Sequence, residues 1–305
     1  MRKSVKYSLI IGVVIVLLAV AITAGVVLWR QNDAAGGAEC TVPGVSVDGA
    51  SSPAVELTVA QLHHASTINA VGLSRGISER GRIIAVATAY QESSLRNRDD
   101  GDRDSVGLFQ QRPSQGWGTK EQILDPIYAA GKFYDALLEV DGWPSLPLTE
   151  AAQKVQQSAH PDAYAKWEPQ ATTLVRSLSG ASPLALTCAA GGRRPTALAP
   201  DRTAPPGTED ASPQLTAALA AAAAELGGIT VREVDDEGRT ASVAIALTGL
   251  PDDQAGRALA AWAVAHATGM GISDVSVDQQ TWTDHAWHSD DQAQPAGVVE
   301  ITVAP

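Results

Sequence analysis

Residues 90–110 read YQESSLRNRDDGDRDSVGLFQ, and the reading of this stretch decides the fold. An apolar helical run ends in one carboxylate, Glu92; a polar, acidic loop follows; then comes a tight Gly107-Leu108-Phe109-Gln110 turn. Proton transfer to a sugar oxygen needs such an arrangement. A general acid is a carboxyl held in a partly dry site, with polar groups nearby to grip the substrate. Upstream, a helix starting after Ser78 places Ile83, Val86, Ala87 and Tyr90 on one face. Glu92 lies off that face, in line with Gly81, Ala85 and Thr88, all small. Other segments can pack close beneath that line while the carboxyl looks into a cleft.

Working outward, the chain around this helix reads as a succession of helices with little strand signal. The first runs from Thr58, an N-cap, to Val71 and carries His63 and His64. Adjacent helical residues point about 100° apart, so this pair does not chelate one metal and reads as two solvated or capping histidines. Past the Gly-Leu-Phe-Gln turn, Trp117 sits in a polar, glycine-containing loop, where it either stacks on a sugar ring or packs. Asp125 and Pro126 open a third helix with a stripe of Ile127, Ala130, Tyr134, Leu137 and Leu138. Thr149 caps a fourth helix reaching Pro161, and a fifth runs from Asp162 through Trp167, Ala171, Leu174 and Leu178. The acidic loop, with Asp99, Asp100, Asp102 and Asp104, lacks the glycine and glutamate positions of an EF-hand. It reads as solvated or substrate-facing, and no metal site is expected there.

Glu92-Ser93 followed by Gly107 to Gln110 resembles the soluble lytic transglycosylase and goose-type lysozyme superfamily, whose motif is Glu-Ser and then Gly-Leu-Met-Gln. Phe109 stands where Met is usual. The likeness covers residues 55–180 and extends to membrane-anchored actinobacterial envelope proteins carrying GDRDSxGLFQQRPSQGWG. It implies an all-α lysozyme-like domain that acts on peptidoglycan glycan strands with Glu92 as its one catalytic residue and no cofactor. Ser93, Gly107, Phe109, Gln110 and Trp117 would form the substrate site. The family's later Ala-Tyr-Asn motif, whose tyrosine supports the glutamate, should fall in the fourth helix. There the chain has Val155-Gln156-Gln157-Ser158, so Gln157 or Ser158 is expected to replace that hydrogen bond. The resemblance leaves two outcomes open: a lytic transglycosylase or muramidase cutting the MurNAc-GlcNAc bond, or a catalytically silent glycan-binding or scaffolding module.

The ends of the chain bear on location. Residues 1–6 hold Arg2, Lys3 and Lys6; residues 7–29 are uncharged and long enough to span a bilayer; Arg30 follows. The charge asymmetry predicts a single-pass protein in the cell membrane, N-terminus cytoplasmic and the remainder outside. Residues 30–54 read as a tether. Cys40 and Cys188, the only cysteines, bracket the helical segment 55–188 in an oxidising compartment, so a disulfide is expected, with Cα atoms about 4.4–6.8 Å apart.

Residues 189–212 are rich in Pro and Ala and read as a linker to an independent domain, 213–305. There an alanine-rich helix, strands at 229–234 and 240–247, a second helix from Asp252 and strands near 272–283 and 298–303 imply a two-layer α/β domain with a small antiparallel sheet. Its Asp284, His285, His288, Asp290 and Asp291 read as a polar hairpin tip instead of a zinc site. From Asp201 onward there are 16 Asp and Glu against 4 Arg, a balance of 4 − 16 = −12 and thus the whole net charge of the chain. That argues against a nucleic-acid partner. The partner of this domain is not legible.

Overall fold

Thr58 opens the helical core through a reciprocal cap. Its side chain accepts from the Gln61 N–H while the Gln61 side chain accepts from the Thr58 N–H. The computed structural model describes residues 40–47, 49–157, 162–188 and 202–305, all within one compact unit, Ala38–Pro305. Among them are eight helices. α1 (Val59–Ser74), α2 (Glu79–Ser93), the short α3 (Lys120–Ile123), α4 (Pro126–Leu138), α5 (Leu148–Gln156) and α6 (Glu168–Leu178) make the first part. α7 (Pro213–Leu226) and α8 (Asp252–Met270) belong to the second. Asp125 caps α4 onto the Ile127 N–H and Ser78 caps α2 onto Gly81, as their positions in the sequence predict. The fourth and fifth helices are shorter than expected, and a 3-10 turn, Ala165–Trp167, leads into α6.

Two expectations about the fold are overturned. The first part is not all-α: β1 (Cys40–Val42) lies between β4 (Val55–Leu57) and β5 (Thr187–Cys188) in an antiparallel sheet. A hairpin of β2 (Ser46–Val47) and β3 (Ala50–Ser51) fills the interval read as tether. Each of these strands is two or three residues long, too short for a period-2 pattern to register. No helix among the described residues is long and apolar enough to cross a membrane, and the expected span at 7–29 lies outside them. The second sheet is not small. It has six antiparallel strands in the order β10-β9-β8-β11-β7-β6, built from β6 (Ile229–Val234), β7 (Thr240–Ile245), β8 (Ile272–Val277), β9 (Gln280–Thr283), β10 (Ala286–Ser289) and β11 (Val298–Val303).

Cys40 and Cys188 are joined, directly opposite one another across β1 and β5, with Cα atoms 3.9 Å apart. This is closer than the interval expected for a bridge. Residues facing each other at a non-hydrogen-bonded position of an antiparallel pair already sit near 4.5 Å. With 148 residues of sequence separation, closing this loop in the unfolded chain is worth about 5 kcal/mol in the chain-entropy description.

The second part is not independent of the first. α8 is buried continuously from Ala258 to Ala267, because one side packs on β7, β8 and β11 and the other on α1. α1 in turn is buried at nine successive positions, 65–73, between α2 and α4 on one side and α7 and α8 on the other. Gln254 and Arg257 of α8 donate to the carbonyls of Ser179 and Gly180 at the end of α6. Small residues make this approach possible; a Cβ on Gly180 would stand 2.5 Å from the Gln254 carbonyl oxygen.

His63 is not solvated, one of the two places its sequence reading allowed, and His64 is half-buried with Nδ1 2.8 Å from the Leu95 carbonyl oxygen. His63 is buried, with its ring 4.1 Å from that of His266, which stacks on Trp262 at the same distance. Glu225 of α7 closes the cluster. It accepts from the Trp262 indole at 2.8 Å, lies 3.5 Å from His266 Nε2, and has Arg202 at 3.9 Å. Burial, reinforced by His266, His64 and Arg202, holds the His63 imidazole well below its ordinary pKa, and burial also lowers that of His64. Burial pushes the Glu225 carboxyl up, but His266, Trp262 and Arg202 outweigh it and leave the group below its usual value.

Candidate active site

α2 delivers Glu92 one residue before its C-terminus, half-buried, beside a chain reversal that the sequence does not announce. Ser94 (φ 55°) and Leu95 (φ 58°) both take the left-handed conformation. For non-glycine residues this costs about 1–2 kcal/mol each, so the surroundings must hold them there. The Ser94 and Leu95 amides return to the carbonyls of Tyr90 and Ala89, and the Leu95 side chain is fully buried. The reversal sends the acidic loop away from the helix axis and brings residues 106–111 back across its end.

Ser93 ties that return in place. Its buried hydroxyl donates to the Leu108 carbonyl at 2.7 Å, with the Ala89 carbonyl oxygen 3.1 Å away. From the opposite side Gln156 of α5 donates to the Phe109 carbonyl at 2.8 Å. Gly107 has φ 80° and donates to the Arg98 carbonyl; a Cβ there would stand 2.7 Å from the Ile123 carbonyl oxygen, so only glycine fits. Phe109 does not reach the surface. It is fully buried, stacked on Phe133 with centroids 4.7 Å apart. Gln110 (φ 49°) turns its amide to the carbonyls of Asp100 and Gly107, bracing the acidic loop. Trp117 is half-buried against the core, and its carbonyl accepts from the Tyr128 hydroxyl.

The residue that reaches Glu92 is Tyr164. Its hydroxyl donates to Glu92 Oε1 at 2.6 Å, and the side chain is fully buried. Two contacts bring it there: the following Trp167 stacks on Tyr90, centroids 4.9 Å apart, and its indole N–H donates to Gln91 Oε1 at 3.0 Å. Both Tyr90 and Gln91 lie in the last turn of α2, so the segment after α5 is clamped to the helix that carries the carboxylate. The motif spacing predicts this hydrogen bond in the fourth helix, from Gln157 or Ser158. Gln157 is instead the exposed left-handed cap of α5, and Ser158 lies outside the described residues. The available signal was Ala163-Tyr164, which carries the first two residues of the expected Ala-Tyr-Asn motif with Ala165 in the third place. The fourth helix ends earlier than its pattern suggests, so the motif lies one segment further on.

Within the acidic loop two of the four carboxylates accept hydrogen bonds from the protein. Asp104 accepts from Arg112 and from the Ser114 amide, both at 2.8 Å, and the Ser114 hydrogen bond leads in holding its carboxyl well below the usual range. Arg98 lowers the pKa of the Asp100 carboxyl by hydrogen bond and charge. In the second part, Asp284 and His285 form the left-handed tip of the β9–β10 hairpin, and Asp290 accepts from Thr281 and the Gln292 amide. No group of three or more His, Cys, Asp or Glu among the described residues is arranged to hold a metal ion.

The geometry can do one kind of chemistry well. A tyrosine that donates to one carboxyl oxygen fixes the plane of the group and leaves the other oxygen to carry a transferable proton. No protein-family model matches the chain, and no curated protein sequence matches it either.

Proposed function

We propose that this protein cleaves peptidoglycan glycan strands outside the cytoplasm, with Glu92 as the acid. The observation that carries the reading is the 2.6 Å hydrogen bond from buried Tyr164 to Glu92, at a helix end faced by the Gly107–Gln110 turn. It supplies the tyrosine–glutamate partnership that the resemblance calls for. The Cys40–Cys188 bridge supports an oxidising compartment. In the reaction, the Glu92 carboxyl gives its proton to the glycosidic oxygen between MurNAc and GlcNAc as the bond from that oxygen to the muramic C1 breaks. The carboxylate then takes a proton from the muramic 6-hydroxyl, whose oxygen closes a 1,6-anhydro ring, or from a water that adds to C1. Tyr164 holds the carboxyl in position, and Ser93 and Gln156 fix the turn opposite it.

Incubating the protein with purified peptidoglycan and resolving the products by mass spectrometry tests this. Wild type is expected to release muropeptides, and Glu92→Gln to bind glycan and melt normally while releasing none, a loss beyond roughly 100-fold. Cleavage by Glu92→Gln at the wild-type rate would sink the assignment. A wild type that binds strands without cutting them would place the protein among silent glycan-binding modules.

A further inference from the structure

Two side chains one turn apart on α1 hold the reversal that follows Glu92. Gln61 Nε2 donates to the Ser94 carbonyl at 2.9 Å, and His64 Nδ1 lies 2.8 Å from the Leu95 carbonyl oxygen. These are the two consecutive left-handed residues, and their carbonyls are the groups that a strained turn leaves pointing away from the helix ladder. We propose that His64 is a positioning residue for Glu92, its Nδ1–H gripping the Leu95 carbonyl and so holding the left-handed pair that ends the glutamate's helix.

A carbonyl oxygen only accepts, so the His64 nitrogen facing it must carry the proton. Burial disfavours the charged ring, and in the neutral one the carbonyl places the proton on Nδ1 and leaves Nε2 without one. The charged and titratable groups on this side are His63 of α1 itself, its ring 5.6 Å away, and behind it His266 of α8, Glu225 of α7 and Arg202. Without the clasp, Ser94 and Leu95 relax towards the right-handed region and α2 runs on. The loop then leaves in a different direction, drawing Leu108 off Ser93 and turning the carboxyl away from Tyr164. Glu92 is only two residues before Ser94, so the disturbance reaches it first. α1 is suited to the task because it is packed on both sides and cannot follow the loop.

The catalytic consequence rests on the proposed glycan cleavage; the structural one does not, and the experiment separates them. In uniformly 15N-labelled protein at neutral pH, His64 is expected to show the neutral Nδ1–H tautomer, and an Nε2–H tautomer overturns the proposal. His64→Leu removes the donor, while His64→Gln restores an amide N–H within reach. The leucine variant is expected to lose about 10–100-fold in kcat on peptidoglycan, with KM within about threefold of wild type and most of the loss recovered by glutamine. The Tyr164 Cζ resonance should move in the leucine variant and return in the glutamine one. A folded leucine variant with wild-type kcat and an unmoved Tyr164 resonance overturns the proposal. If wild type cleaves no glycan, the functional reading fails, and the tautomer and the Tyr164 resonance still decide the clasp. If the leucine variant does not fold, the wild-type tautomer decides alone.

Discussion

Tyr164 and Glu92 are separated by 72 residues, yet their hydrogen bond defines the candidate site. Hydrogen bonds to charged groups are worth about 1.5–3 kcal/mol, so Tyr164→Phe is expected to lower the cleavage rate roughly 10–100-fold. Substrate binding should change little; a rate within twofold of wild type in product release from peptidoglycan would count against a supporting role. At this scale the sequence was informative where a residue's neighbours in the chain determine its place. Glu92 and Ser93 follow from the register of α2, and Gly107 from the turn it opens. It was silent where the place is set across the fold. Phe109 reads as a cleft aromatic, but Phe133 on α4 offers a stacking partner that no local pattern reveals. Gln156 and Gln157 are adjacent amides, and only the left-handed cap at the end of α5 determines which of them reaches the turn.

At the scale of elements, the junction of α1, α7 and α8 makes stability depend on acidity. The His63 pKa is lowered on folding, so the unfolded chain takes up the proton first as pH falls below about 6.5. Its contribution is fully present above that value and is lost downward, by at most about 1.4 kcal/mol per pH unit for one proton. His64 has the same sign. Urea unfolding at pH 7 and pH 5 is expected to show lower stability at pH 5, with a smaller difference in His63→Gln; an unchanged difference would mean that His63 is not responsible. The signal for this junction was present in the alanine-rich second part. A helix such as α8, apolar all round from Ala258 to Val264, has no solvent face and must be covered on both sides. Proline-rich composition between the parts and their separate charge balance pointed the other way. Both describe the surface and the connecting chain, and neither reports on what two buried faces do.

For the whole molecule, the two parts share one hydrophobic core. A chain ending at Cys188 leaves the α7 and α8 side of α1 bare, and each large apolar side chain uncovered costs about 1.5–3 kcal/mol. Such a fragment is expected to lack a cooperative thermal transition by circular dichroism, and a sharp melt near that of the full chain would show that the first part stands alone. The Cys40–Cys188 bridge has a further consequence, for force. Tension applied between the chain ahead of Cys40 and the chain beyond Cys188 crosses β1 and β5 through a single covalent link, and the backbone of the loop it encloses, with α2, the left-handed reversal and Tyr164, is bypassed. The candidate active site lies in parallel with the sulfur bridge, so a pull along the chain reaches Glu92 only through the packing of α1 on the second part.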